Sequence, residues 1–128
     1  MCVCVVILLT NNATRIYQNL TQPFQQQKLQ DIISVLQKEN INFAYGDYWV
    51  GYATTFLTNE KIIIEPIYSR YLPFYRNFYD QHQKSAVILP KENLYHLSEG
   101  MKVEIYSRIY QIYAKHETYD FDIYLLKI

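Results

Sequence analysis

The chain opens on an apolar run that is followed by a polar stretch. Residues Met1–Leu9 are all apolar, whereas Thr10–Gln22 are polar and rich in Asn, Thr and Gln. The first run is much shorter than the about 20 residues that a membrane-spanning helix needs, and no basic segment precedes it as in a secretory signal. It is interpreted either as a buried strand or as the end of a transmembrane helix that starts outside this chain. Thr10–Gln22 is then a connector.

The clearest helical pattern covers Pro23–Asn40. Its apolar residues form one stripe at the spacing i, i+3, i+4, i+7, namely Leu29, Ile32, Ile33 and Leu36. This spacing predicts an amphipathic helix with one buried face. Thr21 can cap the start of this helix, and Asn40 is a suitable end.

A strand–helix–strand unit follows. Ile41–Tyr45 reads as a short strand that Gly46 and Asp47 interrupt, and a short helix then continues to Phe56. Lys61–Ile67 contains a continuous run of three isoleucines. Such a run is typical of a strand that is covered on both faces, as in a parallel sheet.

The second half of the chain is predicted to add one helix, one short helix and three strands. These are a helix over Pro73–His82, a strand over Ser85–Leu89, a helix over Glu92–Leu97, one long strand over Val103–Lys115 and a last strand over Phe121–Ile128. The order predicts one α/β domain over residues 23–128, with two or three layers. Its mixed sheet has parallel strands and a C-terminal antiparallel hairpin.

Composition and charge exclude several kinds of partner and site. The chain carries 12 basic and 12 acidic residues, so a nucleic-acid partner is not predicted. Its 14 tyrosines suit half-buried positions near a surface. Cys2 and Cys4 are interpreted as small apolar residues, and His82, His96 and His116 lack ligands at metal-binding spacing. No glycine-rich phosphate loop is present, so no cofactor and no metal are predicted.

A candidate ligand site surrounds the break after the first strand. In open α/β sheets ligands bind at the carboxyl ends of the strands, which would bring Asp47, Tyr48, Trp49 and Tyr52 together with Glu65, Tyr68 and Arg70. The alternative is that Asp47 only caps the helix and the aromatic residues are core. Glu65 could pair with Asp47 as acid and base, or with Arg70 as a surface ion pair. No catalytic residue is assigned.

A second aromatic cluster lies between the two halves of the chain. Tyr68, Arg70, Tyr71 and Pro73 occur close together there. They could stack on a sugar or a lipid headgroup, or pack on a neighbouring domain. Both interpretations stay open.

Two short motifs resemble a known class of membrane protein. The first follows the pattern Y-x-D-Y-W-x-x-Y and includes Tyr45, Asp47, Tyr48, Trp49 and Tyr52, followed by Phe56 and Leu57; the second, R-Y-x-P, comprises Arg70, Tyr71 and Pro73. Over about residues 24–90 the chain resembles the soluble C-terminal region of bacterial polytopic glycosyltransferases. These are similar to the dolichyl-phosphate-mannose–protein mannosyltransferase class.

The resemblance implies a non-catalytic accessory domain on the extracytoplasmic, periplasmic side of a membrane. Catalysis would belong to a membrane portion of the same or a neighbouring protein, which uses a lipid-phosphate sugar donor. A sugar or lipid-linked sugar would then be a ligand of the motif residues Asp47, Tyr48, Trp49, Tyr52, Arg70 and Tyr71. The alternatives are a stand-alone module that binds a sugar or a peptide, and a small hydrolase or transferase that uses Asp47 and Glu65.

Overall fold

The structure is a computed structural model, and it describes residues 23–67 and 83–128. It contains helices α1 (Pro23–Lys38) and α2 (Tyr48–Leu57) and strands β1 (Phe43–Gly46), β2 (Ile63–Pro66), β3 (Lys84–Pro90), β4 (Lys102–Ile105), β5 (Arg108–Glu117) and β6 (Phe121–Lys127). The predicted α/β class is confirmed. The apolar start, the connector and the predicted helix Pro73–His82 lie outside the described residues.

All six strands belong to one mixed sheet in the order β2-β1-β3-β6-β5-β4. β1 is parallel to both β2 and β3, whereas β6 pairs antiparallel with β3 and β5, and β5 with β4. The predicted combination of parallel strands with C-terminal antiparallel strands is therefore confirmed. β1, the central strand of the parallel part of the sheet, ends at Gly46, and Asp47 then connects it to α2.

Both helices pack on the same face of the sheet, so the described residues form two layers. The predicted stripe of α1 is buried here, and it packs with Val50 of α2 on sheet residues such as Ala44, Ile64, Ala86 and Ile88. Burying one such side chain contributes about 1.5–3 kcal/mol. α1 ends at Lys38, two residues before the predicted end at Asn40, whose positive φ of 55° allows Ile41 N to donate to Leu36 O at 2.8 Å.

The opposite face carries a second core that is rich in aromatic residues. Its buried members are Phe43, Tyr45, Ile63, Val87, Leu89, Tyr110, Ile112, Tyr124 and Leu126. The sheet curls around this face, which we call the concave face. Tyr106, in the turn between β4 and β5, donates from its hydroxyl to Pro66 O (2.8 Å) and Ile67 O (3.0 Å) at the end of β2. We call this contact the Tyr106 latch. It connects the turn after β4, the last strand in the order of the sheet, with β2, the first.

The prediction of one long strand over Val103–Lys115 is wrong. The segment forms two antiparallel strands, β4 and β5, joined by a two-residue turn at Tyr106 and Ser107. Both residues have positive φ (50° and 67°), a conformation for which Gly and Asn are preferred in such turns. The alternation of apolar and polar residues continues through the turn, and neither Gly nor Asn marks it in the sequence. Positive φ costs about 1–3 kcal/mol at each of these two residues, and the hydrogen bonds of the Tyr106 latch compensate part of that cost.

The predicted helix over Glu92–Leu97 is also wrong, because the segment is irregular. Asn93 donates from its side-chain amide to Pro90 O (2.6 Å) and accepts from Tyr95 N (2.8 Å). Asparagine side chains that bond to nearby backbone in this way compete with helix formation. The loop after β3 is therefore held next to the carboxyl ends of the parallel strands.

Candidate binding site

Asp47 joins the end of β1 to the start of α2. Its backbone is extended (φ −69°, ψ 151°), and its Oδ1 accepts a hydrogen bond from Trp49 N at 2.8 Å. This is the geometry of a helix N-cap, as one of the two sequence interpretations predicted. The carboxylate is exposed, so a ligand could also reach it.

We expect Asp47→Ala to lower the free energy of unfolding by about 1 kcal/mol, because the Trp49 amide loses its acceptor. Asp47→Asn is the matched control, since its amide oxygen retains the cap and only the charge is lost. Urea denaturation followed by circular dichroism measures both. Equal losses in the two variants would show that the charge, and not the cap, stabilises the helix.

A cleft of about 430 Å³ opens where the parallel strands end. Its lining comes from the segments that follow β1, β2 and β3, and includes Asp47, Ile67, Pro90, Glu92, Asn93, Leu94 and Tyr95. This location agrees with the rule for ligand sites in open α/β sheets. Sequence reasoning missed Glu92 and Tyr95 as lining residues because it placed them in a helix.

The aromatic residues of α2 do not lie in the core. Tyr48, Trp49, Tyr52 and Phe56 all project from the outer side of the helix, and Trp49 and Phe56 remain 63% and 71% exposed. The ring centroids of Tyr48 and Tyr52 are 4.5 Å apart, and those of Tyr48 and Trp49 are 5.3 Å apart with perpendicular rings. We call these four residues the aromatic ridge. It starts beside Asp47 and follows the whole helix.

A groove of about 460 Å³ lies beside the aromatic ridge, between α2 and the edge strand β2. Tyr52 and Phe56 form one wall, and its other lining residues are Gly51, Thr55, Asn59, Glu60 and Ile64. The groove therefore combines aromatic surface with a carboxylate, an amide and a hydroxyl. Side chains of this kind are what polar ligands with apolar faces require.

Thr55 of α2 and Thr58 directly after it occupy the outer edge of β2 and of the residue before it, so the groove cannot accept an added strand there. Ile64 N donates to Thr55 Oγ1 (3.2 Å), and Ile62 N donates to Thr58 Oγ1 (3.1 Å). Pro66 has no N–H to offer. A ligand of the groove must contact side chains, because the outward N–H groups of β2 already have acceptors or are missing.

A buried tyrosine pair crosses the concave face, and no sequence pattern indicated it. The hydroxyl groups of Tyr45 and Tyr110 are 2.9 Å apart. Burial, above all, and then the hydrogen bond to Tyr110 raise the pKa of Tyr45 far above its usual range. The neighbouring Glu65 raises this pKa further, whereas Arg108 opposes the shift. Tyr45 therefore stays protonated.

Glu65 differs from both sequence interpretations that placed it at an accessible strand end. It stands beside Tyr45 in the register of β1 and β2 and is only 6% exposed. Glu65 is therefore buried and not at the surface, whereas Arg70, its predicted partner, lies outside the described residues. Asp47, by contrast, lies at the exposed start of α2.

The structure describes four of the six predicted ligand-binding residues. Asp47, Tyr48, Trp49 and Tyr52 come together at the start of α2, whereas Arg70 and Tyr71, like Tyr68 and Pro73, lie outside the described residues. In residues 23–67 and 83–128, neither helix is long and apolar enough to cross a bilayer. Comparison of the chain with protein-family models, with curated proteins and with solved structures found no significant match.

Proposed function

We propose that this chain is a non-catalytic binding domain whose ligand contacts the aromatic ridge. The exposure of four neighbouring aromatic side chains on one short helix is the observation that carries the proposal. Large aromatic side chains in one exposed cluster are typical of a surface that another molecule covers. The other side of α2 fixes the helix to the sheet, because Val50 and Thr54 are buried there. The aromatic ridge is therefore held in a defined position.

The chemistry of the surface favours a carbohydrate ligand. Sugar rings present apolar C–H faces that stack on aromatic side chains, and hydroxyl groups that require hydrogen-bonding partners. The aromatic ridge offers the stacking surface. Asp47 at its start, and Asn59 and Glu60 in the groove near its end, offer polar groups.

The resemblance to membrane-embedded glycosyltransferases gives this proposal its biological setting. Under it, the domain lies on the extracytoplasmic side and holds a sugar or lipid-linked sugar for a catalytic membrane portion. The first motif of that resemblance comprises Tyr45, Asp47, Tyr48, Trp49 and Tyr52, followed by Phe56 and Leu57, and its Tyr45 is buried. Four of them form the aromatic ridge, which supports a role of the motif in binding.

A stand-alone module is the second candidate function, and the groove favours it. The groove is large enough for a small ligand without any second protein. A peptide would have to bind there through side chains, because Thr55 and Thr58 cover the edge of β2. The two candidate functions differ in the ligand that they require. A stand-alone module would bind free oligosaccharides, whereas an accessory domain of a glycosyltransferase would bind lipid-linked sugars.

Trp49 is the only tryptophan, so intrinsic tryptophan fluorescence reports on the aromatic ridge alone. Titration with oligosaccharides, and separately with polyprenyl-phosphate sugars in micelles, should shift this emission to the blue in a saturable manner. Binding of the second ligand only would favour the glycosyltransferase setting, and binding of free oligosaccharide would favour the stand-alone module. An unchanged spectrum with every ligand would contradict both.

Substitutions on the ridge provide the specific test. We expect Tyr52→Ala or Phe56→Ala to weaken binding about tenfold, because a stacked aromatic contact is worth about 1 kcal/mol or more. Tyr119→Ala is the matched control: this tyrosine is 79% exposed in the turn between β5 and β6. If the control weakened binding as much as the ridge variants, the ridge would not be the site.

A further inference from the structure

The strand β4 forms an edge of the sheet with a defined set of outward-facing backbone groups. Val103 stands opposite Tyr110 in the ladder with β5, and Ile112 N donates to Met101 O at 2.9 Å. Because backbone direction alternates along a strand, Met101, Val103 and Ile105 face β5, whereas Lys102 and Glu104 direct their N–H and C=O groups away from it. In the part of the chain that the structure describes, no strand pairs with that side.

The side chains of Lys102 and Glu104 are also accessible to a second molecule. Lys102 and Glu104 are both exposed on the same side of β4, while Val103 and Ile105 pack towards the concave core. Within the described residues no ion pair involves either Lys102 or Glu104. The edge therefore presents one positive and one negative charge two residues apart.

Charge selects one way in which two such edges can pair. An antiparallel pair that joins the outward-facing residues of both strands has three registers: Lys102 opposite Lys102, Glu104 opposite Glu104, or Lys102 opposite Glu104. The first two oppose like charges, which destabilises a sheet. In the third register, Lys102 of each copy stands opposite Glu104 of the other copy. This gives two pairs of opposite charges, one on each side of a two-fold axis that passes between the two Val103 residues.

We propose that two copies of this chain associate through β4 in this third register. Each Lys102–Glu104 pair exchanges both backbone hydrogen bonds and forms a cross-strand ion pair, and the two-fold axis repeats this arrangement. The result is one sheet that continues across both copies. It cannot grow further through the described edges, because Thr55 and Thr58 already accept the outward N–H groups of Ile64 and Ile62 at the β2 edge.

The interface is small, so the dimer is weak. β4 has only four residues, and stable interfaces bury about 1,200 Å² or more. Association should therefore depend on concentration and appear between about 10 µM and 1 mM, as expected for small interfaces. Ion pairs at an exposed edge are screened, so salt should weaken the dimer.

A charge-exchange cycle tests the proposal by sedimentation velocity. Lys102→Glu and Glu104→Lys each replace both ion pairs by like charges and should raise the dimer dissociation constant about tenfold or more. The double variant Lys102→Glu/Glu104→Lys restores opposite charges and should restore the wild-type constant. All positions are exposed, and circular dichroism confirms that each variant folds. No association of the wild type at about 1 mM, or equal association of all four proteins, would overturn the proposal.

Two further variants separate this edge from other contact surfaces. Glu104→Pro removes an outward N–H without removing a bond to β5, so it should abolish association. Trp49→Ala alters the aromatic ridge and should leave the dimer unchanged. A dimer that survives the proline variant but is lost in Trp49→Ala would place the contact on the aromatic ridge and overturn the β4 assignment.

Discussion

Replacing Gly51 with alanine should lower the free energy of unfolding by about 2 kcal/mol, although alanine is the better helix former by about 1 kcal/mol. A Cβ atom at this position would lie 2.8 Å from the backbone oxygen of Ile64. This oxygen cannot move easily, because β2 is paired with β1 and the Ile64 N–H is held by Thr55. Overpacking against such a group costs about 3 kcal/mol, which exceeds the gain in helix propensity.

Helix propensity alone predicts that Gly51→Ala raises the free energy of unfolding, whereas the contact with Ile64 O predicts that it lowers it. The sign of the measured change distinguishes the two. Urea denaturation of Gly51→Ala should show a lower midpoint, and Gly46→Ala is the control. There the new Cβ would meet the Cγ2 methyl group of Ile64 at 3.1 Å, a longer contact with a side chain instead of backbone, so Gly46→Ala should lower the midpoint less than Gly51→Ala. A Gly51→Ala protein more stable than the wild type would mean that α2 does not approach β2 so closely.

The second large effect concerns the hydroxyl groups of Tyr45 and Tyr110. Tyr45→Phe and Tyr110→Phe should each lower the free energy of unfolding by about 1–3 kcal/mol, because each leaves one buried hydroxyl without this partner. The double variant should cost less than the sum of the two, since it removes both polar groups. A double-mutant cycle with urea denaturation measures this difference, and strict additivity would contradict a direct contact.

The same pair makes stability depend on alkaline pH. The pKa of Tyr45 is raised in the folded state, so above pH about 10 the unfolded chain loses its proton first. The stabilisation is complete below that pH and falls as pH rises, by up to about 1.4 kcal/mol per pH unit for one group. Tyr113 and Tyr124 also have raised pKa values and add to the slope. Tyr45→Phe should therefore reduce the slope without abolishing it, and an unchanged slope would contradict the burial of an ionisable group at position 45.

The features that the sequence predicted well are local. The stripe of α1 has helical spacing, the isoleucines of β2 form a continuous run, and Asp47 stands directly before a helix. Each pattern reports on contacts between neighbours in the chain or on burial of a single element. The starts of α1 and α2, the parallel part of the sheet and the cap at Asp47 could be derived from these patterns for that reason.

The features that were missed depend on distant contacts or on strained backbone. The turn at Tyr106 and Ser107 contains no residue that prefers positive φ, and the Tyr106 latch that holds it reaches a strand 40 positions away. The Tyr45–Tyr110 pair joins residues 65 positions apart. The exposure of the aromatic ridge was one of two alternatives that the sequence left open, because aromatic residues at helical spacing are typical of a buried face as well.

The Tyr106 latch also has a consequence for the rate at which the molecule unfolds. The two edge strands that it joins are separated by β1, β3, β6 and β5, so we expect the latch to form only after these strands have assembled. Contacts over such sequence separations require chain entropy to be lost before they contribute, so the domain belongs among slower folders, in the range of about milliseconds to seconds. A contact that forms this late is absent from the transition state. Its strength therefore determines how long the native state persists, and has little influence on how fast that state is reached.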